Sequence, residues 1–181
     1  PEFRMTDIIP SVKKVLATGG ETVLEKQLAL TFHEDFANEG KLLKEKLTAW
    51  HGLEIVPEAS VTIVLDYLSD RKKAVNEEYY ELCIDGQQIR ISAATPHGAF
   101  NGTQTLLGLL KGQESPFRLE AMSIQDYPDL LYRGQMLDIA RNYTTVDNLK
   151  KLIDMLSSYK LNVLQFHFSD DEGWRLEIPG L

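Results

Sequence analysis

Two stretches of the chain decide its fold. Tyr132-Arg133-Gly134-Gln135-Met136-Leu137-Asp138-Ile139-Ala140 and Asn162-Val163-Leu164-Gln165-Phe166-His167-Phe168 both read as strands. Between them, residues 144–160 read as a helix, with Val146, Leu149, Leu152, Ile153 and Leu156 on one face. Thr144 and Asp147 have the spacing of a capping box. Strand, helix, strand in about 37 residues is a βαβ unit, which predicts adjacent parallel strands about 4.8 Å apart with a right-handed crossover.

Working back from this unit, Asp126-Tyr127-Pro128-Asp129 is the best linker. Upstream, Val12–Leu16 and Leu24–Phe32 are strand-like, and Gly19-Gly20 between them reads as a turn. Residues 36–50 read as a helix with Leu42, Leu43, Leu47 and Trp50 at helical spacing, stopped by His51-Gly52. Residues 61–65 form a short strand, and residues 70–76 a charged loop. Tyr79–Ile84 and Gln87–Ala93 flank Asp85-Gly86, which predicts a hairpin with a type I′ turn. Thr95-Pro96 opens a helix that reaches about Leu110. Gly98 and Gly102 leave one side of it bare for close packing on a sheet. The class is α/β (α+β), and the first part is a small antiparallel-sheet domain with helices on one face.

Composition agrees with a packed chain. Of 181 residues, 43% are hydrophobic and 25% charged, an ordinary globular mixture. A chain this long buries roughly 70% of its unfolded surface without a staple. Cys83 is the single cysteine, so no intrachain disulfide exists. The net charge of −8 argues against general binding of nucleic acid or an anionic membrane. No apolar run approaches the roughly 20 residues that span a bilayer. The start, Pro1-Glu2-Phe3-Arg4-Met5, lacks an initiator Met and reads as an expression scar, so the compartment is left open.

The chain has no Gly-rich phosphate loop, CxxC pair, HExxH or GxSxG. Asn101-Gly102-Thr103 and Asn142-Tyr143-Thr144 fit a glycosylation triplet that is common by chance. The polar residues that matter come after position 130. Arg133, Asp138 and Arg141 sit on or after the first parallel strand, and His167, Asp170, Asp171, Trp174 and Arg175 on or after the second. Arg141 and Asp170 fall at the C-terminal edge, where open α/β sheets and barrels place their sites. On spacing alone, three readings stay open. One is a buried Asp–Arg network holding loops together, with Asp138 on an Arg or a backbone amide and His167 as a satisfied core histidine. A second is a divalent metal site of His167, Asp170 and Asp171. The third is a substrate site. For the chain as a whole, the alternative to an enzyme is a non-catalytic packing or interaction module.

The run Arg133-Gly134-Gln135-Met136-Leu137-Asp138-Ile139-Ala140-Arg141 resembles the RGxxLDxxR opening of the catalytic domain of glycoside hydrolase family 20. His167-Phe168-Ser169-Asp170-Asp171-Glu172-Gly173-Trp174-Arg175-Leu176-Glu177-Ile178 resembles that family's HLTDDQGWRIEI stretch, 29 residues from Arg141 to Asp170. Ser169, Glu172 and Asn142-Tyr143 are mild departures. Upstream, Ile89–Phe100 and Gly102–Leu107 are similar to the small domain that precedes the barrel in these enzymes.

The resemblance implies an N-terminal fragment of a β-N-acetylhexosaminidase. Residues 1–5 would be the scar, 6–127 the small domain, and 128–181 the first βαβ portion of a (β/α)8 TIM barrel. Family 20 is a standing exception to the two-carboxylate retaining scheme, because the substrate's own acetamido oxygen attacks the anomeric carbon. In the family an Asp orients that group and the adjacent Glu is the acid; both lie on a later strand. By motif, Arg141 would bind sugar hydroxyls, as five fixed donors suit it to do. Asp170 would support a later histidine behind the acid, a catalytic role that is not that of the acid. Asp138, His167, Asp171, Trp174 and Arg175 would be structural or lie behind these two. No cofactor and no metal is implied. The partner would be a β-linked GlcNAc or GalNAc glycan. Exposed barrel strands would pair with a second copy as a homodimer, and a secreted or periplasmic parent fits.

Overall fold

The computed structural model describes residues 8–180; the scar assigned to residues 1–5 lies outside them. The chain divides into two compact units, at Asp129/Leu130.

The first unit is a seven-stranded sheet with two helices. Its elements are β1 (Lys14–Leu24), β2 (Gln27–Phe32), α1 (Ala37–His51), β3 (Glu54–Ile55), β4 (Thr62–Tyr67), β5 (Tyr80–Asp85), β6 (Gln88–Ala93), α2 (Pro96–Leu110) and β7 (Phe117–Asp126). Strand order is β1-β7-β5-β6-β4-β2-β3. Alternation along the strands sends Ile63 and Leu65, Leu82 and Ile84, Ile89 and Ile91, and Ile124 to one face, all fully buried. Cys83 and Arg90, opposite each other in the ladder, take the other face and stay accessible. Against the apolar face lie Leu43 and Leu47 of α1 and Ala99, Leu106 and Leu110 of α2. Each of these leucines and isoleucines is worth about 1.5–3 kcal/mol of transfer free energy, so this layer holds the unit.

Both small residues predicted to seat α2 do so. A Cβ on Gly98 would lie 2.4 Å from the Tyr79 carbonyl oxygen, and one on Gly102 would lie 2.6 Å from Ile91 Cγ2. Thr95 caps the helix by accepting from the Gly98 N–H at 3.2 Å, with Pro96 in the first turn.

Four local expectations are corrected. The sheet is mixed, not antiparallel: β6/β4, β4/β2 and β2/β3 run parallel. Strand direction across a crossover has no local sequence signal, whereas the β5/β6 hairpin has one. Gly19-Gly20 is not a turn but the centre of a bulge inside β1, where the register passes from Ala17↔Met122 to Glu21↔Glu120. The β5–β6 loop is Gly86-Gln87, closed by Asp85↔Gln88, with positive φ at Gly86 alone, the pattern of a type II′ turn. Finally, Leu42 and Trp50 are exposed on α1, and Lys46 stacks on the Trp50 ring 4.3 Å from its centroid.

The second unit contains β8 (Gly134–Asp138), α3 (Val146–Ser158) and β9 (Val163–His167). The strands pair in parallel from Gly134↔Val163 to Asp138↔His167. The cap of α3 is Thr145, one residue later than the capping box predicts; its hydroxyl accepts from the Asn148 N–H at 3.3 Å. The helix ends with Lys160 at φ 60°; the Lys160 N–H reaches the Ser157 carbonyl at 2.9 Å and the Leu161 N–H the Leu156 carbonyl at 3.1 Å, which satisfies two terminal carbonyls. Among the described residues of this unit, only Ile139, Ala140 and Lys160 are buried.

The foot of this unit is held by two side chains. Arg133 Nε and Nη2 both donate to the Lys160 carbonyl, at 2.9 and 2.7 Å. Asn162 Oδ1 accepts from the Arg133 N–H at 2.9 Å, and its Nδ2 donates to the Leu131 carbonyl at 2.7 Å. Arg133, one of the polar residues of the first motif, therefore fastens the N-terminal end of the strand pair, opposite the candidate site.

Candidate functional site

The register Asp138↔His167 brings the C-terminal ends of β8 and β9 to one edge. Ile139 and Ala140 N–H groups both reach the His167 carbonyl at 3.1 Å, which bends the chain off the strand. Asp138 Oδ1 then accepts from the N–H groups of Ala140 and Arg141, at 3.0 and 3.1 Å. This is the backbone-amide role left open for Asp138, and it sets the direction in which Arg141 leaves the loop.

Arg141 Nε donates to Asp170 Oδ2 at 2.6 Å. The Asp170 side chain is 11% exposed and that of Arg141 53%, so one partner is sheltered and the other opens to solvent. Asp170 Oδ1 accepts from the Glu172 N–H at 2.8 Å, and the Asp170 N–H reaches the Gly173 carbonyl at 2.9 Å. The Arg141 guanidinium, followed by the Glu172 amide, holds the Asp170 carboxyl below its ordinary value; burial opposes them and loses. The same hydrogen bond raises Arg141 above its already high value.

The other predicted residues gather round this pair. His167 Nε2 lies 3.6 Å from Asp170 Oδ2, and its ring is half exposed, so it is not a core histidine. Asp171 is open to solvent, with Oδ1 3.7 Å from Arg141 Nη2. Trp174 is exposed, and its Nε1 donates to the Leu176 carbonyl at 2.6 Å. The Arg175 side chain returns to the first loop, donating to the carbonyls of Ile139 and Ala140.

The metal reading is altered by this geometry. Asp138, His167 and Asp170 offer ligand atoms within 4.8 Å of one another, so Asp138 and not Asp171 completes the cluster. The guanidinium of Arg141 already engages it, at 2.6 Å from Asp170 and 4.0 Å from Asp138 Oδ2. The cluster thus has a cation of its own, covalently part of the chain.

Sequence reasoning missed Gly173 as a contact residue. A Cβ there would lie 2.3 Å from the Ala140 carbonyl oxygen, so only glycine lets the two loops touch. The Gly between acidic residues and Trp was the available signal. Beside the pair, Leu137, Asp138, Asn142, Tyr143, Thr144, Asn148, Leu149 and Leu152 line a cleft of about 480 Å³. Of the two glycosylation triplets, Asn101 is buried in α2, donating to Glu78 Oε1 at 3.2 Å, whereas Asn142 is exposed.

Fold and site together define a two-unit α/β protein with an arginine–carboxylate pair at the C-terminal edge of parallel strands. Residues 5–127 match the family model described as glycosyl hydrolase family 20, domain 2, and residues 130–181 match the glycosyl hydrolase family 20 catalytic domain. The chain belongs to glycosyl hydrolase family 20. It is 32% identical over 97% of its length to N,N′-diacetylchitobiase of Vibrio harveyi, covering 20% of that protein. It is 36% identical over 80% of its length to a beta-hexosaminidase of Porphyromonas gingivalis, again covering 20% of it.

Among solved structures, a GH20 exo beta-N-acetylglucosaminidase from Vibrio harveyi in complex with N-acetylglucosamine superposes with a TM-score of 0.86 at 31% identity. That match covers 98% of this chain and 28% of the other. A mutant Streptomyces plicatus beta-hexosaminidase in complex with GlcNAc gives 0.79 at 26% identity, over 95% of this chain and 36% of the other. The chain thus spans about a fifth of the curated relatives it matches.

Proposed function

We propose that these 181 residues are part of a β-N-acetylhexosaminidase that releases terminal non-reducing GlcNAc or GalNAc by substrate-assisted retaining catalysis. The observation that carries this reading is the Arg141–Asp170 pair, 2.6 Å apart at the C-terminal edge of β8 and β9. In this reading residues 6–127 are the small domain of the family, and residues 128–181 open a (β/α)8 barrel. Arg141, open to solvent on one side, gives its remaining guanidinium donors to vicinal sugar hydroxyls. Asp170 fixes Arg141 with one oxygen and supports the histidine behind the acid. The acetamido oxygen of the sugar closes on the anomeric carbon while the family's Asp orients it and its Glu protonates the departing oxygen.

Asp171-Glu172 is the one adjacent Asp-Glu sequence in the chain. In this reading it is not the catalytic pair: it falls in the stretch that resembles the family's HLTDDQGWRIEI, with Glu172 where the family has Gln, and the family's Asp-Glu pair belongs to a later strand. The metal alternative is disfavoured because Arg141 neutralises the carboxylates a divalent ion would need.

The test is kinetic, in a full-length family 20 enzyme carrying these residues. Arg141→Ala is expected to cost about 2–5 kcal/mol in kcat/KM, the usual loss for a desolvated charge-assisted contact. Asp170→Asn is expected to lower kcat more than it raises KM. Near-normal kinetics in both variants would reduce the pair to a loop fastener.

A further inference from the structure

We propose that Arg175 is the positioning residue of the Arg141–Asp170 pair. The proposal deepens the reading of that pair as the sugar-binding side of the site and rests on it. Arg175 joins the two loops that carry the pair. Its Nε donates to the Ile139 carbonyl at 3.0 Å and its Nη2 to the Ala140 carbonyl at 3.0 Å, across 36 and 35 residues of sequence. These are the two peptide units directly before Arg141. Its own N–H reaches the Phe168 carbonyl at 3.0 Å, two residues before Asp170.

A planar guanidinium with donors in a fixed fork suits two successive carbonyls better than a lysine ammonium does. Gly173 allows the approach: with any side chain there the Ala140 carbonyl, at 2.3 Å from the Cβ, would be pushed away. Tyr143 packs over the far side, 5.7 Å from the Arg175 guanidinium carbon to the ring centroid. Asp138 orients the amides of Ala140 and Arg141, and Arg175 holds the carbonyls of Ile139 and Ala140. The peptide planes leading into Arg141 are therefore held on both sides, and the Arg141 Nε–H is aimed at Asp170. Arg175 touches neither reacting group; it acts through Arg141.

The experiment is nitrogen-15 NMR on the labelled 181-residue chain, reading two protons. The Arg141 Nε–H reports the pair, and the Glu172 amide reports the 168–175 loop. In the parent chain both are expected to exchange slowly, with the Arg141 Nε–H shifted downfield by the carboxylate. Asp170→Asn is expected to abolish the Arg141 signature. Arg175→Gln is expected to abolish it as well while the Glu172 amide keeps its protection, and Arg175→Lys to restore part of it.

An Arg141 signal unchanged by Arg175→Gln overturns the proposal. Loss of both signals together also overturns it, since Arg175 would then only hold the loop. If Arg175→Gln does not fold, Arg175→Lys is read by the same two protons and the same rule. A parent chain without the Arg141 signature, or one insensitive to Asp170→Asn, removes the pair itself and the proposal with it. Failure of the hexosaminidase reading is distinct, because it shows in the kinetics of the full-length enzyme and leaves these two protons unaltered.

Discussion

Arg141 and Asp170 show how much a single contact can be made to do. Asp170 is sheltered, takes one N–H from the guanidinium and another from the Glu172 amide, and titrates below its ordinary value. An unfolded chain takes up that proton at the ordinary carboxylate value, before the folded one does. The stabilisation from the pair is therefore complete above the ordinary value and disappears as pH falls through the lowered folded value. The urea midpoint of Asp170→Asn should fall below the parent's at neutral pH, and the gap should close in strong acid. A gap that is constant with pH would contradict the assignment. The two motifs made these residues legible, because each motif places its own residue next to a strand end. Gly173 was not legible, and Arg175 was placed only among the structural residues behind the pair, without its contacts. Both depend on the contact of two loops more than thirty residues apart, which neither segment encodes alone.

At the level of elements, α2 is the best specified. Its capping Thr95, its first-turn Pro96 and its bare Gly98/Gly102 side are all local signals, and all three match the observed geometry. Gly98→Ala should destabilise the first unit by about 1–3 kcal/mol, the usual cost of forcing an extra methyl into a packed interface. Here the obstruction is backbone, the Tyr79 carbonyl, and cannot swing away. Gly108→Ala, with open space at its Cβ, is the matched control and should be neutral or slightly stabilising. Urea denaturation of both variants decides it. The elements read less well were those whose meaning is set at a distance. The β1 bulge exists because β7 opposes it, and the parallel direction of β2, β4 and β6 follows from crossovers that no window of ten residues contains.

On the scale of the whole molecule, the two units differ sharply in burial. The first has a continuous apolar layer, while the second leaves Met136, Val146, Ile153 and Met155 about half exposed or more. β8 and β9 pair only with each other among the described residues, so each presents an open edge. We expect the 181-residue chain alone to be inactive on a chromogenic β-GlcNAc substrate. In the proposed reading the acid and its orienting neighbour belong to a later strand of the family's barrel, and general acid catalysis alone contributes about 10²–10⁴ in rate. Turnover that survives removal of trace host enzyme would refute this. The same preparation should self-associate through the open strand edges. Light scattering at micromolar concentration checks it, a clean monomer being the contrary result.

The place of β1 in the strand order has a consequence for synthesis. β1 is made well before β7, its one strand neighbour among the described residues, with Lys14 opposite Gln125. At roughly 5–20 residues per second, β1 waits about 5–20 s on the ribosome before that partner exists. For that interval it is a nascent strand with two unsatisfied edges in a crowded cell. The two glycines at 19 and 20, poor strand formers in any unpaired chain, divide it into two short runs during the wait, so it offers a stray strand a poor template. The glycines that later seat an irregularity in the finished sheet thus serve as a guard while the chain is still being made.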